Sequence, residues 1–124
     1  MSYVDGFLLS VPKDKLEDYR KICNDAAKVW VEHGALQYVE AVGDDLNIEG
    51  VQPFTKAAGA GPDDLVIFAW IVYESRERRD EVNALVMKDP RISCMGPDQM
   101  PFDCSKMFYG GFKTIAEVEK EEVL

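Results

Sequence analysis

The sequence predicts an α+β domain of ferredoxin-like type. It is a four-stranded antiparallel sheet with two helices on one face, closed on the other by a second copy into a dimeric α+β barrel. Three observations predict this. The elements read in the order β-α-β-β-α-β, and right-handed crossovers place both helices of such a chain on one face. The apolar run Leu65 to Glu74 needs cover on both sides and so belongs at the centre of the sheet. Neither register of the strands reads polar: Phe7, Leu9, Tyr38, Ile67, Ile71, Phe68, Trp70, Met107, Tyr109, Phe108 and Phe112 are too many to lie beneath two helices.

Each element has its own signal. Tyr3 to Val11 is a strand, rich in β-branched and aromatic residues and stopped by Pro12. A helix runs from about Asp14 to His33, with Asp14 and Glu17 spaced as a capping box. Leu16, Tyr19, Cys23, Ala26, Ala27 and Trp30 form its apolar stripe, and Gly34 stands where a left-handed residue ends a helix. Ala35 to Leu46 is the second strand, with Leu36, Tyr38, Glu40 and Val42 on one side. Residues 44–64 read as a long hairpin extension holding a short strand, in which Val51 and Phe54 are exposed anchors for a neighbouring surface.

The run Leu65 to Glu74 is the third strand. Ser75 caps a second helix, Arg76 to Lys88, whose inner face is Val82, Leu85 and Val86 and whose end is Asp89-Pro90. Arg91 to Gln99, with Gly96-Pro97, is a connector to a fourth strand within Met100 to Phe112. Thr114 and Glu117 have capping-box spacing, so the acidic tail, residues 114–124, forms a short helix over Ile115 to Glu121 or frays.

Composition narrows the function. At 124 residues the chain, 1–124, is a single domain able to bury roughly two thirds of its unfolded surface. A net charge of −9 argues against nucleic acid and against anionic membrane, both of which need a basic surface. Arg76, Arg78 and Arg79 form no basic stripe because Glu77, Asp80 and Glu81 alternate with them. No signal peptide and no membrane-length apolar run is visible, and three cysteines, an odd number, read as reduced thiols, so a cytoplasmic location is expected. One histidine leaves too few ligands for a structural zinc, and no glycine-rich phosphate loop opens a helix, so no cofactor is expected.

The candidate chemistry is sparse. His33, at the end of the first helix, is a general base at a cleft rim, a helix C-terminal cation or a hydrogen-bonded spacer. Asp5 and Glu40 are carboxylates inside strands, and each is a proton acceptor, is paired with Lys106 or Arg91, or points to solvent at a sheet edge. Trp70, Tyr38 and Tyr109 either line an aromatic ligand cleft, with His33 and Glu40, or belong to the barrel core. Cys94 and Cys104 are a redox pair or two unrelated thiols; they lack Cys-x-x-Cys spacing. Phe54, Phe108, Tyr109 and Phe112 are candidates for the dimer interface.

Eight motifs in order carry a resemblance: Tyr3-Val4-Asp5-Gly6-Phe7, Glu32-His33-Gly34-Ala35, Val39-Glu40, Phe68-Ala69-Trp70, Arg79-Asp80, Asp89-Pro90-Arg91, Met100-Pro101-Phe102-Asp103 and Tyr109-Gly110-Gly111-Phe112. Over about Tyr3 to Phe112 the chain resembles the YbaA-like family of uncharacterised bacterial proteins. The resemblance implies the dimeric α+β barrel and brings no established activity and no catalytic residues. Two positions depart from the family pattern. Cys104-Ser105-Lys106 stand where Gly-Lys-Arg is usual, and Pro53 stands before Phe54 where an aspartate is typical. The expected reading is a small cytoplasmic homodimer of unknown function with a candidate small-molecule-binding cleft. The alternatives are a cofactor-independent monooxygenase- or isomerase-like enzyme of that barrel type, and a non-catalytic protein-interaction or stress accessory dimer.

Overall fold

A computed structural model describes residues 2–93 and 100–122. Its strands are β1 (Tyr3–Pro12), β2 (Gln37–Val42), β3 (Asp64–Tyr73) and β4 (Phe108–Lys113). They form one sheet in the order β2-β3-β1-β4, with every neighbouring pair antiparallel. Its helices are α1 (Leu16–His33), α2 (Phe54–Ala58), α3 (Arg76–Lys88) and α4 (Pro90–Ser93). This is the ferredoxin-like arrangement, and β3 is an inner strand as its apolar run requires.

The pleat divides the sheet into two faces. Asp5, Phe7, Leu9 and Val11 of β1 share a face with Ile67, Ala69, Ile71 and Tyr73 of β3 and with Tyr38 and Glu40 of β2. Helices α1 and α3 cover that face. One core cluster joins Val29, Ala35, Ile71, Tyr73, Val82 and Val86, and a second joins Leu9, Val11, Tyr19 and Ile67. The opposite face carries Leu8, Phe68, Trp70, Phe108 and Phe112 around a shallow apolar groove of about 560 Å³. Phe68, Phe108 and Phe112 are 45%, 58% and 61% exposed in the single chain. The expectation that β3 is covered on both sides therefore fails within one chain: two helices can shield only one face.

Several local expectations are met. Ser75 Oγ accepts the amide of Arg78 at 3.1 Å and caps α3. Gly34, at φ 125°, ends α1 in a conformation that a Cβ would strain.

Others are corrected. Asp14 makes no capping bond; a 3-10 turn, Lys13–Lys15, precedes α1, whose amides begin at Leu16. Strand β2 ends at Val42 rather than Leu46. The extension at 44–64 holds a helix, α2, not a strand, because Pro53 presets an N-terminus and Gly59 at φ 64° ends it. Leu85 is 45% exposed, so Val82 and Val86 alone form the buried line of α3. Pro90, expected only to end the second helix, opens α4, which occupies the start of the expected connector, since proline suits a first helical turn. Cys94 and Gly96-Pro97 lie outside the described residues. Thr114 and Glu117 cap nothing; Thr114 Oγ1 donates to the Ser2 carbonyl at 2.7 Å and Glu117 accepts from the Ser2 amide at 2.9 Å. The tail is tied to the chain start, and among its described residues Lys120–Glu122 makes a 3-10 turn.

Candidate functional site

Between α1 and the sheet lies an inner cavity of about 220 Å³, walled by Phe7, Leu9, Ile22, Ala26, Trp30, Ile71, Phe102 and Met107 among others. The packing that leaves it is local. Trp30 leans on Tyr38 with centroids 5.8 Å apart, Phe102 meets Tyr19 edge-on at 5.5 Å, and Ala26 between them is too small to fill the gap. Both aromatic contacts fall within the 4.5–7 Å range of favourable ring pairs.

One polar group dominates its wall. Glu40 Oε1 accepts from the Tyr19 hydroxyl at 2.6 Å, and Oε2 accepts from the Tyr38 hydroxyl at 2.8 Å. Cys23, one helical turn from Tyr19, completes the group. The same four residues, Tyr19, Cys23, Tyr38 and Glu40, also line an outer cleft of about 270 Å³ that includes Arg20, Asn24 and Val42. Glu40 thus stands between a mixed outer cleft and an apolar inner cavity.

The electrostatics set what this group can do. Burial first, then the adjacent Glu40 charge, pushes the Tyr19 and Tyr38 phenols far above their ordinary range. The Cys23 thiol is raised by the same two causes. All three stay protonated at neutral pH, which leaves hydrogen-bond donors around one acceptor and no thiolate nucleophile. Iodoacetamide at pH 8, followed by peptide mass spectrometry, is therefore expected to label Cys23 at least tenfold more slowly than a free cysteine, whose pKa is about 8.5. Labelling at the free-thiol rate in the folded protein would contradict this protonation state.

The other sequence candidates are dispersed. His33 Nε2 lies 2.9 Å from Asp89 Oδ2, in a cluster where Arg91 bridges Asp89 at 2.7 Å and Glu32 at 2.8 Å. Hydrogen bonds from Arg91, and next from His33, hold the Asp89 carboxyl well below the usual range. That ties the end of α1 to the start of α4, and His33 does not line the cavity. Trp70 sits on the opposite sheet face beside Phe68. Tyr109 packs on Phe7 at 4.9 Å, on the β4 side of the sheet. Of His33, Tyr38, Glu40, Trp70 and Tyr109, only Tyr38 and Glu40 come together. Phe54 meets Phe68 edge-on at 5.9 Å, so it shares the open face with Phe108 and Phe112.

Asp5 is 1% exposed and faces Arg79, whose Nε is 3.3 Å from Oδ1; Lys106 and Arg91 are not its partners. The Arg79 guanidinium also donates to the Tyr3 hydroxyl at 3.1 Å and lies over that ring. Nearby, the Asn83 side-chain oxygen accepts from Trp30 Nε1 at 3.0 Å and from the Tyr73 hydroxyl at 3.2 Å. A Cβ at Gly111 would overlap Arg79 and Tyr3, so this glycine admits the guanidinium.

Sequence reasoning overlooked Tyr19 and Cys23 as site residues. Their signal was present: two polar-tipped residues one turn apart on an otherwise apolar stripe, opposite the single inward carboxylate of β2. Among the described residues, no group of His, Cys, Asp and Glu could hold a metal, and no helix is long and apolar enough to cross a membrane.

Comparison with known proteins adds the family. The model of "Protein of unknown function (DUF1428)" matches residues 2–104, most of the chain. The chain belongs to this family. Uncharacterized protein YbaA of Escherichia coli strain K12 is 43% identical over 117 residues, covering 94% of this chain and 99% of that protein. The Shigella flexneri protein of the same name matches to the same extent. The DUF1428 family thus coincides with the YbaA-like resemblance, and it assigns no activity. An uncharacterized NIPSNAP domain protein from Burkholderia xenovorans, known from its crystal structure, superposes with a TM-score of 0.55 at 11% identity, covering 95% of this chain and 99% of that one. That likeness speaks for the fold alone.

Proposed function

We propose that this DUF1428 member is a cytoplasmic homodimer that binds a small molecule in the cavity between α1 and the sheet. The observation that carries the reading is the joining of an apolar cavity to a single convergent polar group, Glu40 with Tyr19 and Tyr38. Such a combination is the usual form of a small-molecule site. At about 220 Å³ the cavity falls below the ~300–1,000 Å³ of drug-sized pockets, so its occupant is a compact molecule. The homodimer is supported by the open sheet face. Burying five or six of its large apolar side chains would contribute on the order of 10 kcal/mol before association costs.

The binding test uses toluene as a neutral apolar probe, titrated calorimetrically into the wild type and Ala26→Trp. Ala26 lines the cavity and is itself buried, so the indole would occupy the probe's space. Binding at one site per chain is expected for the wild type and loss of binding for the variant. Equal heats for both proteins would refute binding in this cavity, and no heat for either would refute it as a site for neutral apolar molecules.

A further inference from the structure

We propose that the inner cavity is a site for a small organic cation, an arylalkyl- or alkylammonium group. Its nitrogen would donate to Glu40 and its apolar body would fill the space between α1 and the sheet. The proposal rests on the small-molecule reading above and names the ligand class of that site.

The first observation is a carboxylate without a counter-ion. None of the ion pairs among the described residues includes Glu40. Its neighbours are neutral donors, the Tyr19 and Tyr38 phenols and the Cys23 thiol, and none of them neutralises the charge. Arg20 reaches the outer cleft, but its guanidinium is 3.5 Å from Glu17, and it does not line the inner cavity. A charge beside an apolar space is costly unless it is paired, and here the pairing would come from the ligand.

The second observation is the surrounding wall. Phe7, Tyr19, Trp30, Tyr38 and Phe102 present rings to the same space. Aromatic faces attract a desolvated ammonium, so rings and carboxylate favour one ligand type together. An anionic ligand would face Glu40 directly, whereas a neutral one would gain neither the pairing nor the ring attraction. The third observation is long-range: the net charge of −9 concentrates cations near the surface and repels anions.

The experiment compares three ligands of nearly equal size, benzylamine, benzyl alcohol and benzoate, by calorimetric titration at pH 7 and low salt. Benzylamine is expected to bind about tenfold or more tightly than benzyl alcohol, and benzoate not at all. Glu40→Gln, which keeps the shape and one acceptor for the tyrosines, is expected to erase the preference for benzylamine while benzyl alcohol still binds. Tyr38→Phe retains the charge and should preserve the preference. Should Glu40→Gln fail to fold, the wild-type comparison still decides. Equal affinity for amine and alcohol would overturn the cation assignment and leave the cavity reading standing. Binding of none of these three, with toluene also silent, would overturn both.

Discussion

Arg79→Met is expected to lower the unfolding free energy by about 3 kcal/mol, read from urea titration followed by circular dichroism. The reason lies in what the substitution leaves behind. Asp5 is 1% exposed on the helix-covered face, and its ion-pair partner among the described residues is Arg79. Removing one member of a buried pair strands the other charge, which costs about 3–5 kcal/mol. The Arg79 side chain keeps 18% of its exposure, so water reaches part of the pair and the expectation sits at the low end. The double variant Asp5→Leu/Arg79→Met should recover part of the loss, because it leaves no stranded charge, while the larger leucine and the lost acceptor for Tyr73 keep the recovery incomplete. A loss below about 1 kcal/mol for the single variant would place the pair among exposed salt bridges and refute this account.

Phe112→Asp is expected to convert the proposed dimer into a monomer at micromolar concentration, measured by light scattering, with the far-ultraviolet spectrum unchanged. Phe112 is 61% exposed in the single chain, so the isolated fold loses little. Its ring lies over Gly6, where an added Cβ would be 3.1 Å from the ring edge, so the aromatic covers a bare stretch of β1. In a symmetric sheet-to-sheet dimer the substitution appears twice and buries two carboxylates without partners. Each such burial costs several kcal/mol, enough to weaken association by on the order of a hundredfold or more. A wild type that is already monomeric at that concentration would end the proposal of a dimer.

The two substitutions act on opposite faces of one sheet, and the alternation of β1 explains why. Asp5 and Phe7 point to the helices while Val4, Gly6 and Leu8 point away, so a one-residue shift exchanges the charged network for the apolar face. The same alternation in β4 sets Gly111 against Arg79 and Phe112 against Gly6. The adjacent glycines of Tyr109-Gly110-Gly111-Phe112 therefore serve two faces, and Gly111 gives space to a cation.

What the residues determined alone was the periodic part of the molecule. The apolar stripe of α1, the Ser75 cap of α3, the Gly34 stop and the inner position of β3 all follow from local spacing and propensity, which act within a few residues. The excess of aromatic residues was legible in the same way. The tertiary structure decided the pairings. Asp14 lost its capping role to a 3-10 turn that begins after Pro12, and residues 54–58 became a helix resting on Phe68. Glu40 met Tyr19 across a separation of 21 residues, and Asp5 met Arg79 rather than Lys106 or Arg91. Such choices depend on which faces the crossovers bring together. A buried carboxylate can be expected to need donors from the strand pattern, but the chain's topology selects which donors arrive.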